Sequence, residues 1–131
     1  MKKSRREFVA WLGLLGITPS VLGAASMSEA AKYGLIGKIV AVAGKREELA
    51  TVLIEGVSGM PGCLSYIVAN DTVDADAIWV TEVWENQSMH TQSLQLESVQ
   101  TAIAMGRPLI AAFGERFETE PLGGTGIELS I

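Results

Sequence analysis

Cysteine and histidine each occur once in the 131 residues, as Cys63 and His90. One thiol closes no intrachain disulfide and builds no cysteine zinc site. One imidazole forms none of the paired-histidine metal motifs. No apolar run reaches the roughly 18 residues that a membrane-spanning helix needs. Cations are outnumbered, 10 against 15, for a formal net charge of -5, which argues against a nucleic-acid-binding face. No Gly-x-Ser-x-Gly elbow supports a serine hydrolase triad. Gly123-Gly124-Thr125-Gly126 follows a strand but opens no helix, so it is not a phosphate cradle. Aromatic residues are scarce at 6%, yet a hydrophobic fraction of 48% places the chain among globular rather than disordered proteins. The length suits one domain.

The charges that are present are unevenly spread. Lys2, Lys3, Arg5 and Arg6 precede an uncharged stretch from Phe8 to Gly23, and small residues follow at Gly23, Ala24, Ala25 and Ser26. A basic start, an apolar middle and a small-residue end form the tripartite pattern of an export signal. Ser4-Arg5-Arg6-Glu7-Phe8-Val9 resembles the twin-arginine motif. Residues 1–30 are therefore expected to be a twin-arginine-type signal region, cleaved near residue 25, and 31–131 the working domain. Export by this route carries folded proteins, so a periplasmic location is expected, with membrane contact only through the signal. Cleavage after Ala25 leaves six cations against fourteen anions, a field that disfavours polyanionic substrates.

Within the domain, hydrophobic periodicity marks the elements. Tyr33 to Ala43 reads as a strand, Lys45 to Val57 as a helix, Cys63 to Ala69 and Ile78 to Glu85 as strands joined by a polar hairpin loop. Two helical pieces follow, Asn86 to Leu96 and Glu97 to Ile110, with Pro108 expected to end or kink the second. Ala112 to Thr119 is the last strand. The order βαββαβ predicts an α+β, ferredoxin-like domain with one antiparallel sheet and helices on one face. The strands read apolar on both faces, whereas a solvated face alternates with polar residues. A second copy of the chain is expected to cover the open face, giving a dimeric α/β barrel.

Chemistry concentrates in Glu82, Trp84, His90 and Arg107. Glu82 and Trp84 are two apart on a strand and share a face with Ile78 and Val80. A carboxyl beside an indole on an apolar surface has a raised pKa when buried. His90 follows on the next helix, close enough to fold over the strand end, and Arg107 stands at the Pro108 kink. Tyr66 and Asn70, on one face of the second strand, and Met89 are further pocket candidates. Structural roles compete with each: Trp84 as core, Glu82 paired with Arg107 or Arg116, His90 bonded to a carbonyl, Arg107 neutralising helix-end carbonyls. Cys63 reads as a small buried strand residue.

The runs Pro61-Gly62-Cys63-Leu64-Ser65-Tyr66, Glu82-Val83-Trp84-Glu85, His90 and Arg107-Pro108-Leu109-Ile110 resemble the antibiotic biosynthesis monooxygenase family, and within it the quinol monooxygenase subgroup. The resemblance implies a homodimer whose pockets oxidise a small quinol or phenol with molecular oxygen, without metal, haem or flavin. Catalytic roles then fall to His90, Glu82 and Arg107, and substrate contact to Trp84, Tyr66, Asn70 and Met89. Relatives that degrade haem carry their ligand histidine further along the helix, where this chain reads Ser93-Leu94. Two other functions compete: a protein that binds a small aromatic without chemistry, and a structural or stress-response dimer.

Overall fold

The computed structural model describes residues 31–127; the signal region read at 1–30 lies outside them. The first strand, β1 (Tyr33–Ala41), alternates along most of its length: Tyr33, Leu35, Ile39 and Ala41 are buried while Ile36, Lys38 and Val40 are half-buried. β2 (Cys63–Asn70) and β3 (Ala77–Trp84) form a hairpin, and β4 (Ile110–Thr119) closes the chain order. The sheet order is β2-β3-β1-β4, with every neighbouring pair antiparallel. The helices α1 (Arg46–Gly56), α2 (Gln87–Ser93) and α3 (Glu97–Gly106) intervene, giving the expected ferredoxin-like α+β arrangement. None of these helices is long and apolar enough to cross a membrane.

Element ends differ from expectation where local chemistry intervenes. The second helical piece stops at Gly106, and Arg107–Leu109 form a 3-10 turn that leads directly into β4. Pro108 has no N–H to give and its ring crowds the preceding turn, so the α-helix cannot continue. β2 runs one residue further than expected, to Asn70. The hairpin loop that follows is tied down by Arg46, whose Nη1 donates to the carbonyls of Asp71 at 3.1 Å and Asp74 at 3.0 Å.

Two buried clusters fill the space between sheet and helices. One joins Tyr33, Leu35, Met60, Trp84, Leu94 and Val99; the other joins Ile39, Ala41, Leu49, Ile78 and Val80. The opposite face of the sheet is less covered. Ile67 is 56% and Phe117 53% exposed there, beside half-buried Ile36, Val40 and Val83. Lys38 lies over the Trp79 ring on that face, 5.9 Å from its centroid.

α1 and α3 approach closely because Gly56 faces Ala102: a Cβ at position 56 would collide with the Ala102 side chain. Glycine to alanine within a helix ordinarily stabilises by about 0.5–1 kcal/mol. Here the overlap should reverse the sign. Gly56→Ala is expected to lower stability by roughly 1–3 kcal/mol, measured as a shifted urea midpoint; a gain in stability would contradict the close packing.

Candidate active site

β3 supplies the floor of the site. Its alternation turns Ile78, Val80, Glu82 and Trp84 toward the helices, and all four are buried. Glu82 stands opposite Leu35 on β1 and Tyr66 on β2; Trp84 stands opposite Tyr33 and Cys63. Two residues apart on one face, Glu82 and Trp84 bond directly: the indole N–H donates to Glu82 Oε1 at 3.0 Å.

α2 supplies the roof. Asn86 caps it, its side-chain oxygen accepting from the Met89 N–H at 2.8 Å. Ahead of β2, Gly62 turns at φ 79, and a side chain there would collide with Met89. The cap starts the helix so that His90, only 3% exposed, reaches back over the strand end. Its ring meets Trp84 edge-on at 5.4 Å between centroids and Tyr33 at 5.2 Å. His90 Nε2 lies 3.9 Å from Glu82 Oε1, too long for a hydrogen bond. Ser93 Oγ donates to the His90 carbonyl at 2.6 Å.

Burial sets the charges. Removed from water, the Glu82 carboxyl is pushed up to about 7, although the Trp84 hydrogen bond and the Arg116 charge pull the other way. Burial, helped by Arg116, pushes the His90 imidazole down to about 4. Near neutral pH the site therefore holds a neutral imidazole beside a carboxyl close to its titration midpoint. Tyr66 is raised well above the usual phenol range by burial and by the Glu82 charge. Burial, then Glu82, raises the Cys63 thiol to about 11, leaving it protonated and unreactive.

Behind His90 lies a second polar group. Tyr33 donates its hydroxyl proton to Glu118 Oε2 at 2.8 Å, and Arg116 Nη2 approaches the Tyr33 oxygen at 3.4 Å. Arg116 also pairs with Glu118 at 3.3 Å, yet its Nε is buried with no hydrogen-bond partner. Its register partner is Gly37, which places no side chain on the sheet floor.

Between floor and roof is a cavity of about 70 Å³, lined by Tyr66, Glu82, Trp84, His90 and Ser93 together with apolar residues of both core clusters. Of the residues expected from sequence, Glu82, Trp84, His90 and Tyr66 are thus brought together. Three are not. Asn70 is exposed at the end of β2, opposite Ile78; Met89 packs against the outer core and Gly62; Arg107 stands in the 3-10 turn, next to the cavity-lining Gly106. The positive charge acting on Glu82 and His90 comes from Arg116, which sequence offered only as a pairing partner of Glu82. Tyr33 and Glu118 carried no signal of a site in the sequence. No group of three or more potential metal ligands occurs among the described residues.

Residues 33–105 match the family model of antibiotic biosynthesis monooxygenases, and the chain belongs to that family. A solved structure from Chloroflexus aurantiacus J-10-fl, provisionally named an antibiotic biosynthesis monooxygenase, is 59% identical, with a TM-score of 0.73 over 75% of this chain and 100% of its own. A Caulobacter crescentus CB15 protein of the same provisional name shares the fold at 16% identity and TM-score 0.62, covering 76% of this chain and 95% of its own. The Pseudomonas aeruginosa protein PA3566 does so at 20% identity and TM-score 0.63, over 72% and 98%. No curated protein gave a significant match.

The Glu82 shift has a sign that can be worked out. Its folded pKa of about 7 lies above the ordinary 4.5, so its stabilising effect is full below pH 4.5 and is lost as pH rises through 7. Glu82→Gln keeps an acceptor for Trp84 but removes the charge. Relative to the parent, the variant should gain up to about 3 kcal/mol between pH 4.5 and pH 8, read by urea unfolding at both pH values. An equal difference at the two would show that Glu82 titrates normally.

Proposed function

We propose that this protein is a cofactor-independent monooxygenase that oxidises a small phenol or quinol with molecular oxygen. The observation that carries the reading is Glu82: a carboxyl with a pKa of about 7, held by an indole in an apolar cavity beside a neutral imidazole. A base that titrates near the working pH is well matched to taking a proton from a phenol. The resulting phenolate is electron-rich enough to give one electron to oxygen. Recombination of the two radicals places dioxygen on the ring through a new carbon–oxygen bond. Loss of the ring hydrogen at that carbon, with cleavage of the O–O bond, gives a quinone and water. One phenol and one dioxygen thus become one benzoquinone and one water, the phenol losing four electrons and the two oxygen atoms gaining them. Glu82 holds the first proton and returns it to the departing oxygen; Arg116 steadies the negative charge. Trp84 and the apolar lining keep water away.

The cavity volume of about 70 Å³ is below the ~150 Å³ that accepts a benzene ring in a rigid core. Substrate entry therefore requires the lining side chains or α2 to move outward. Oxygen uptake with a panel of phenols and hydroquinones, corrected for autoxidation, tests the reading. Uptake should fall about 10²-fold or more in Glu82→Gln. Absence of uptake across the panel, with ligands still bound, would make the protein a binder of small aromatics instead.

The working unit in this proposal is a homodimer formed through the uncovered sheet face, exported by the signal at 1–30. Exposed Ile67 and Phe117, next to half-buried Ile36 and Val40, offer an apolar surface for that contact. Ile67→Glu combined with Phe117→Glu should convert the dimer to a folded monomer in sedimentation. A monomeric parent would remove this part of the proposal.

A further inference from the structure

The polar groups of the cavity are gathered at one end. Glu82 and Tyr66 are cross-strand neighbours, His90 lies 3.9 Å from the carboxylate, and Ser93 is three residues further along α2. Two residues along β3, a step of about 7 Å, Val80 takes the place of Glu82, with Val68 and Gly37 as its partners; Arg116, opposite Gly37, turns its guanidinium to Tyr33 and Glu118 and does not line the cavity. Beyond Val80 the lining is Ile39, Leu49, Leu53, Ile110 and Phe113, with no side-chain oxygen or nitrogen among them. The β1 backbone under this end pairs with β3, while its pairing with β4 shifts register between Gly37 and Ile39 and between Val40 and Ala41. One aromatic ring spans the distance from the first level to the second. A hydroxyl at the Glu82 end can donate to the carboxylate, while a hydroxyl at the opposite ring position is carried among aliphatic groups. Burying a hydroxyl without a partner is unfavourable because the water it leaves is not replaced.

We infer that this pocket selects phenols whose oxygen atoms lie together at one end of the ring, monophenols and 1,2-diols, against 1,4-hydroquinones. The inference rests on the proposed function for the orientation of the ligand and narrows its substrate class. Binding isotherms of the purified protein under nitrogen, where no turnover occurs, separate the two. Catechol and hydroquinone are isomers of equal size that differ in where the second hydroxyl falls, and 4-methylphenol replaces that hydroxyl with a methyl of similar volume. By calorimetric titration, catechol and 4-methylphenol should each bind at least about tenfold more tightly than hydroquinone, or ~1.4 kcal/mol. Equal affinities, tighter binding of hydroquinone, or no binding of any of the three overturns the selection. Admitting oxygen afterwards reads the proposed function by itself. Selective binding with no uptake leaves the inference standing and removes the monooxygenase; uptake with unselective binding does the reverse.

Discussion

The hydrogen bond from the Trp84 indole to Glu82 is the contact on which the site depends. A carboxyl 7% exposed between sheet and helices is costly to hold there unless it is bonded or protonated. The indole satisfies one oxygen without supplying a full positive charge, so the group is retained without being forced to ionise. A lysine or arginine in the same place would have pulled its pKa down and made it an inert ion pair. Arg116 acts from further away and only moderates the shift. The geometry therefore keeps Glu82 poised between its two forms, which a proton-transferring group needs.

The surrounding elements are arranged around that constraint. Asn86 sets where α2 begins, and this start puts His90 over Trp84 rather than into solvent. With its imidazole neutral, His90 adds no charge that would draw Glu82 into a salt bridge. Tyr33, tilted against the imidazole, links this core to Glu118 and Arg116 toward the surface. The polar network is thus asymmetric: one end of the cavity is rich in hydrogen-bonding groups and the other is hydrocarbon.

Much of this was legible in the sequence, for physical reasons. Period-two alternation puts Glu82 and Trp84 on one face whatever the tertiary fold, and Asn86 is a helix start that needs only its neighbours. Pro108 marks the end of α3 in the same local way. The strand–helix order was enough for the ferredoxin-like topology. What stayed hidden depends on a β-bulge in β4. Between Gly37 and Ile39 of β1 the partners step from Arg116 to Phe113, three residues against two. Counting alternation from Phe113 places Arg116 on the wrong face; the sequence offered it only as an alternative partner of Glu82, and the site cation was sought in Arg107 at the Pro108 kink. Tyr33 was hidden differently: its meeting with His90 joins residues 57 apart in sequence, and neither shows a pattern toward the other. Asn70 shares the helix-side parity of Tyr66, but parity does not reveal that the end of β2 is exposed.

Glu82 titrates near neutral pH because of where it is buried. This is tested most directly by carbon-detected nuclear magnetic resonance of the glutamate side-chain carboxyls as pH is raised, with Glu82 assigned by its loss in Glu82→Gln. One carboxyl resonance with a midpoint near pH 7, belonging to Glu82, is the expected result. A midpoint for Glu82 in the ordinary glutamate range, near 4.5, would contradict it and leave the cavity without its base.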